Sequence, residues 1–399
     1  MAWRIPVAKP DIGEAETEAV RAVAASGWIT QGAKVRELEA AFARLCATEH
    51  AVATTSGTTA LHVALAALGV GPGDEVITTP LSCIASANPI LFTGARPVFG
   101  DVDPETYNLE AGGIGKCITP RTKAILPVHL FGHPLDLDPI LELGRAHGLP
   151  VIEDACQATG ARYEGRAVGG LGTVGCFSLY ANKIVTSGEG GMIVTRDAML
   201  ADRMRAIRNF GQIPGEHFLH AFLGGNAKMT DLQAAVGCAQ VGKLEGYITR
   251  RRTNVASLNA ALEGLERMIE RLPSERSYAR SVYFGYHLLF REPRVCARAD
   301  AALHAAGIET RPFFSLIPAQ APYREMGYRA ADTPVAADLI TRGLYVSNSP
   351  DLTAEDRGLI VDTLRSVARA EGLAPKGLSP KGLSPKGLAP KGLVAEGLD

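Results

Sequence analysis

The stretch of the chain best equipped for chemistry is VGCFSLYANKIVTSGEGGMIVT, residues 174–195. Two strand-like runs, 174–179 and 191–195, flank a connection that holds one lysine, Lys183, and the glycines Gly188, Gly190 and Gly191. A lysine between buried strands must shed hydration from its ammonium, a cost that a surface lysine avoids. Ser178 precedes Lys183, and the glycines behind it let a ligand approach the backbone closely. An aspartate closes an earlier apolar run, Val151-Ile152-Glu153-Asp154. An amine able to form a Schiff base, with an acid for a pyridinium nitrogen, is the minimum protein equipment for pyridoxal phosphate (PLP) chemistry. Taken alone, Lys183 also reads as a surface loop lysine; its company favours the chemical reading.

A second candidate lies at residues 54–65, TTSGTTALHVAL. A strand, a hydroxyl-and-glycine turn and a helix start form an anion cradle, because free N–H groups and the helix dipole point at the same place. The same residues also read as an ordinary Ser/Thr helix cap. No G-K-[ST] follows, so this is not a nucleotide-binding P-loop.

These residues need a frame. Short apolar runs at 51–54, 75–79, 97–102, 124–128, 150–153, 174–179 and 192–195 alternate with helical patterns. Continuous apolar strands separated by helices predict an α/β fold: a largely parallel sheet of about seven strands, covered on both faces. Ligands of such sheets bind beyond the carboxyl ends of strands, where Asp154 falls. Helices are predicted over 14–25 and 34–46, and a long helical spine over about 230–265 that carries the basic triplet Arg250-Arg251-Arg252. The triplet reads first as a solvated helix face. A strand over 283–290 and helices over 298–306, 334–342 and 354–371 suit a smaller α+β domain. The expected division is a large domain with an N-terminal arm over 1–245, a small domain over 246–371 and a disordered tail over 372–399. That tail repeats GLAPK and GLSPK, and its recurring Pro and Gly oppose helix and strand.

Composition narrows the function. The chain has 399 residues, 46% hydrophobic and 21% charged, with a net charge of −1, which gives no general attraction to nucleic acid or membranes. No signal peptide and no apolar run long enough to span a bilayer is read. Seven cysteines without C-x-x-C spacing suit a reduced, cytoplasmic protein. His129 and His133 straddle a glycine turn with no completing ligand set, so no metal is expected.

Taken in order, several blocks resemble the DegT/DnrJ/EryC1/StrS family of PLP-dependent sugar aminotransferases. They are SGWITQG at 26–32, SGTTALHVAL at 56–65, GDEVITTP at 73–80 and GARPVFGDVDPETYNL at 94–109. PVHLFGHPLDLDPI at 127–140, VIEDACQATGARYEGRAVG at 151–169, FSLYANKIVTSGEGG at 177–191 and MTDLQAAVG at 229–237 continue the series. The resemblance covers about 5–365 and implies the type I, aspartate aminotransferase-like fold. It further implies a mixed-sheet large domain, a small C-terminal domain and a homodimer with shared sites. Carried over by position, Lys183 is the Schiff-base lysine and proton carrier, Asp154 the partner of the pyridine nitrogen, and Gln157 that of the ring hydroxyl. Gly57, Thr58 and Ser178 hold the phosphate, and Asn226 reaches the neighbouring subunit's cofactor. Tyr180, Lys228 and Arg311 are candidates for the substrate.

Three positions depart from the family pattern. An aromatic that stacks on the cofactor ring is replaced in Ser82-Cys83, where the thiol is a small soft group. Lys228 stands in place of an arginine and gives up a bidentate fork. Ser347-Asn348-Ser349-Pro350 replaces a Leu-Pro pair, a change read as structural. Related dehydratases carry histidine at the lysine position, so Lys183 argues for amino transfer from L-glutamate through the PLP and pyridoxamine phosphate (PMP) forms. The acceptor the resemblance favours is a nucleotide-linked keto sugar, aminated at C4 of a 4-keto-6-deoxyhexose. C3 amination and keto-cyclitol amination are the alternatives, with sugar dehydration behind them.

Overall fold

In the computed structural model, which describes residues 3–374 except 214 and 217, the seven apolar runs form one mixed sheet. Its strands are β1 (His50–Thr54), β2 (Glu75–Thr78), β3 (Arg96–Phe99), β4 (Thr122–Leu126), β5 (Ile152–Asp154), β6 (Val174–Ser178) and β7 (Gly191–Thr195). The spatial order is β1-β7-β6-β5-β4-β2-β3, with single parallel bridges Ile125↔Val151 and Val128↔Asp154 joining β4 to β5. Strands β5 and β6 run parallel, with Asp154 opposite Cys176, and β2 runs parallel to both β3 and β4. Strand β7 runs against its neighbours β1 and β6, with Ile193 opposite Val52 on one side and Cys176 on the other. The connection from β6 to β7 contains no helix, so the chain cannot cross over and returns antiparallel beside the strand it left. Both faces of β6 and β7 are buried throughout, which explains why their sequences are apolar at successive positions.

A second sheet follows in the C-terminal part. It contains β8 (Ile269–Arg271), β9 (Tyr286–Phe290), β10 (Arg311–Pro312) and β11 (Gly343–Val346), in the order β8-β9-β11-β10. Its core gathers Leu288, Phe290, Leu303, Val346, Ile360 and Leu364. The larger core holds Leu61, Ile77, Ile125, Phe177 and Ile193, and also Phe313 and Leu316 from the C-terminal part, so the two interlock.

The predicted spine over 230–265 is two helices rather than one. Helix α2 (Asp231–Gly242) stops at Lys243 and helix α3 (Leu244–Leu262) follows. Gly242 is a poor helix former at the break. Helix α3 still bridges both cores, with Leu244, Tyr247 and Ile248 in the larger and Val255, Leu258 and Leu262 in the smaller.

Nor is the arginine triplet a uniformly solvated face. Arg251 is buried and its Nη1 donates to the carbonyls of Phe284 at 3.1 Å and Asn348 at 2.9 Å, while Arg252 pairs with Glu275. The departing segment 347–349 is buried at the same seam, where Asn348 Nδ2 donates to the Tyr283 carbonyl at 2.8 Å and the Ser349 carbonyl accepts from Asn254 at 3.0 Å.

At the end, Gly372, Leu373 and Ala374 do not open an unstructured repeat. Gly372 takes a φ of 67°, and the amides of Leu373 and Ala374 donate to the Ala368 carbonyl, closing the last helix. The remaining tail expectation, 375–399, lies outside the described residues. Among the described residues no helix is long and apolar enough to cross a membrane.

Candidate active site

A cavity of about 200 Å³ opens at the carboxyl ends of β1, β5 and β6. Gly57, Thr58, Asp154, Gln157, Ser178, Tyr180 and Lys183 all line it, together with Ser82, Cys83, Ser86 and Cys156. Residues more than a hundred positions apart thus meet because parallel strands end on one side.

One wall is a helix start. From β1 the chain turns through Thr54-Thr55-Ser56 into helix α1 (Gly57–Ala67). Ser56 Oγ caps the helix by accepting from Thr59 N–H at 3.1 Å, so the cap reading of this turn holds. The Gly57 and Thr58 N–H groups keep no acceptor among the described residues, and the cradle reading is open to a ligand as well. A Cβ on Gly57 would sit 2.8 Å from Ser178 Cβ and 2.9 Å from Cys156 Sγ. Only glycine lets the helix start lie against the end of β6. Gly191 has the same use, since a Cβ there would meet the Ser56 carbonyl oxygen at 2.2 Å.

The acid wall is held from two sides. Asp154 is buried; its Oδ2 accepts from Ser86 Oγ at 2.7 Å and its Oδ1 from Cys156 N–H at 3.1 Å. A carboxylate offers about four lone pairs, so two acceptor positions are left. Gln157 Oε1 accepts from Phe131 N–H at 2.9 Å, which fixes the amide and leaves its NH2 for the cavity. Ser86 and Phe131 escaped the sequence reading, because nothing in their local spacing announces a partner far along the chain.

Lys183 sits on a braced turn. Its N–H donates to the Tyr180 carbonyl at 2.9 Å, and the Leu179 carbonyl takes Ser187 N–H at 2.9 Å and Thr186 Oγ1 at 3.0 Å. Gly188 adopts a φ of 80°, so this glycine serves the turn rather than ligand approach. The Lys183 ammonium lies 4.8 Å from the centre of the Phe284 ring, a cation–π contact that positions it without a carboxylate.

Three proposed residues are not in the cavity. Asn226 is exposed, and Lys228 beside it donates to Asn209 Oδ1 at 2.7 Å and lies over the Phe210 ring. Burial, with Arg208 nearby, lowers the Lys228 pKa. Arg311 is exposed and paired with Glu309 at 2.6 Å. His129 and His133 are structural: Leu135 N–H donates to His129 Nδ1 at 3.3 Å, so Nε2 carries the proton shared with Glu153 at 3.1 Å. Burial pushes His133 down to about 4. Among the described residues no group of three or more His, Cys, Asp or Glu could hold a metal ion.

The arrangement fits PLP. Two free helix N–H groups and Ser178 suit a phosphate, a buried carboxylate suits a ring nitrogen, and a primary amine faces the same space. Comparison with known proteins decides the family, since the model of the DegT/DnrJ/EryC1/StrS aminotransferase family matches residues 10–365. The chain belongs to that family. It is a PLP-dependent aminotransferase of the type I fold. It is 40% identical to the GDP-perosamine synthase of Caulobacter vibrioides over 91% of this chain and 98% of that one. Identity to the GDP-perosamine synthase of Escherichia coli O157:H7 is 37%, over 88% and 95% of the two chains. Among solved structures, the aminotransferase TlmJ from Streptoalloteichus hindustanus superposes with a TM-score of 0.87 at 32% identity, covering 92% of this chain and all of that one (100%). The chain's likeness to the two GDP-perosamine synthases marks it as a nucleotide-sugar aminotransferase.

Proposed function

We propose that this aminotransferase moves an amino group from L-glutamate to C4 of a GDP-linked 4-keto-6-deoxyhexose. The observation that carries the reading is the meeting of Lys183, Asp154 and the α1 start in one cavity, in a chain matching GDP-perosamine synthase almost end to end. When bound, PLP supplies a reactive aldehyde carbon and a ring that accepts electrons from the substrate carbon. The chain's own groups do the rest. Gly57 and Thr58 N–H and the Ser178 hydroxyl bind the phosphate. The Asp154 carboxylate accepts the ring nitrogen's proton bond, and the Gln157 NH2 donates to the ring hydroxyl. The Lys183 amine takes a proton from the donor carbon and returns one to the acceptor carbon, as a general base and then a general acid.

In the same reading the enzyme is a cytoplasmic homodimer with shared sites. Phe218 and Leu223 are 91% and 97% exposed, close in sequence to Asn226, and Trp28 and Ile29 are exposed as well. Exposed apolar side chains of this size suit a surface covered by a second copy, which would carry Asn226 to its partner's phosphate. We place the division between the two domains at 245/246, early in α3.

The test is the visible spectrum of the PLP-loaded enzyme. Glutamate should remove the cofactor's visible band, and a GDP-linked 4-keto sugar should restore it where dTDP- and UDP-linked sugars do not. A band restored only by 3-keto sugars or keto-cyclitols would move the reaction to those substrates.

A further inference from the structure

Beside Asp154, along the cavity wall, the buried polar groups form a directed chain. The Ser86 hydroxyl is 2.7 Å from Asp154 Oδ2, and the Ser82 hydroxyl is 3.0 Å from Ser86 Oγ. Asp154, Ser86 and Ser82 are 2%, 2% and 1% exposed, so solvent does not satisfy them. An ionised carboxylate only accepts, which makes Ser86 the donor to Asp154. The Ser86 oxygen is then free to accept, and the Ser82 proton points to it. Both bonds form in this direction only, and each strengthens the other in a site of low polarity.

The far end of the chain is fixed. Ser82 belongs to the two-residue strand Leu81–Ser82, which pairs with Ser315–Leu316 from the C-terminal part. The Ser315 hydroxyl also donates to the Ser82 carbonyl at 3.3 Å. At the near end, Ser86 closes a tight turn by donating its N–H to the Cys83 carbonyl at 2.9 Å. Cys156 N–H holds the other Asp154 oxygen, so the carboxylate plane is set by two donors on rigid elements.

We propose that Ser86, backed by Ser82, is a positioning residue for the reaction. It fixes the Asp154 carboxylate at the angle required by the cofactor's ring nitrogen, and it acts through that carboxylate from the cavity wall. This rests on the reading of Asp154 as the nitrogen's partner. The hydrogen-bond chain also gives Ser82-Cys83 a use: where the thiol removes an aromatic platform, the neighbouring serine anchors the acid through Ser86.

The experiment compares Ser86→Ala, Ser86→Thr, Ser82→Ala and Asp154→Asn. It reads kcat and KM for the sugar, and separately PLP affinity of the cofactor-free protein by fluorescence titration. Losing a hydrogen bond to a charged group predicts about a tenfold fall in kcat for Ser86→Ala, with KM for the sugar unchanged. PLP affinity should fall by a similar factor, Ser86→Thr should recover most of both, and Ser82→Ala should lose about threefold. If Asp154→Asn is severely impaired while Ser86→Ala stays within twofold of wild type in both readouts, the positioning role is wrong and the function stands. If Asp154→Asn keeps full activity, the assignment of Asp154 itself fails and takes this inference with it. Should Ser86→Ala not fold, Ser82→Ala decides: wild-type kcat and PLP affinity there overturn the chain.

Discussion

Lys183 was legible because its neighbours are. Two apolar strands bracket it, and Ser178, the glycines behind it and Asp154 turn a residue that alone reads as a surface lysine into a chemical one. Asp154 was legible for a related reason, as a carboxylate ending a buried run. Their surroundings were not. Ser86 and Phe284 act through partners 68 and 101 positions away, and no local pattern shows which serine or phenylalanine will arrive there. Arg311 shows the converse, since a basic residue in a suggestive motif is spent on Glu309 in the structure. Two predictions belong here. Lys183→Ala should lower turnover at least about a thousandfold, the scale of general acid–base and nucleophilic groups, while the fold survives; steady-state kinetics with a melting curve checks both. Gly57→Ala should weaken PLP binding and cost about 1–3 kcal/mol of stability, because its Cβ would sit 2.8 Å from Ser178 Cβ. Unchanged PLP affinity in that variant would place the phosphate elsewhere.

Among the elements, the alternation of apolar runs and helical patterns located all seven strands of the main sheet. Periodicity reports burial, and the central strands β6 and β7 are buried on both faces, whereas the edge strand β3 leaves Arg96 exposed. It did not report breaks inside helices: Lys243 interrupts a run whose buried positions, Gln240, Leu244, Tyr247 and Ile248, keep helical spacing through it. Nor did it separate Arg251 from its neighbours, since three consecutive arginines read alike until the carbonyls they meet are known. The same holds for Asp231 in the MTDLQAA block, whose carboxylate takes the N–H groups of Gly32 at 2.8 Å, Lys34 at 3.1 Å and Val35 at 2.9 Å. It caps the helix Ala33–Leu45 from far along the chain. Arg251 is the strongest such tie. Burial lowers its pKa to about 10, and it remains charged at neutral pH with its bonds to the Phe284 and Asn348 carbonyls. Arg251→Leu should leave those carbonyls without donors and cost about 2–4 kcal/mol in a urea titration. A loss below half a kcal/mol would mean that the seam does not depend on it.

At the scale of the whole molecule, acid stability and assembly are the accessible properties. Glu16, 1% exposed, ties the helix Glu14–Ser26 to the break between α2 and α3. Burial alone would raise its pKa, but the Lys243 ammonium, the Gly13 N–H and the Gln240 amide bring it down to about 2. A carboxyl depressed on folding stabilises above its unfolded pKa and loses that contribution as pH falls through the folded value. Glu16 should therefore contribute on the order of 3 kcal/mol above about pH 5, lost progressively toward pH 2. In Glu16→Gln the pH dependence of urea stability over that window should flatten. Glu153 acts in the same direction: burial opposes its charge, but His129 and the N–H groups of Gly172 and Gly169 keep its pKa below the usual range.

Shared sites make a sharper prediction. Lys183→Ala and Asn226→Ala chains, each impaired alone, should regain roughly a quarter of wild-type activity when refolded together. Half the dimers would then keep one intact site. No recovery on mixing would leave Asn226 serving its own chain.

The proposed reaction requires that nitrogen leaving glutamate arrives at C4 of a GDP-linked sugar. The most direct measurement supplies the PLP-loaded enzyme with ¹⁵N-glutamate and a GDP-linked 4-keto-6-deoxyhexose, then locates the label in the product by NMR. ¹⁵N should be found bonded to C4, with Lys183→Ala giving none. Label at C3, or a product that has lost a hydroxyl without gaining nitrogen, would contradict it.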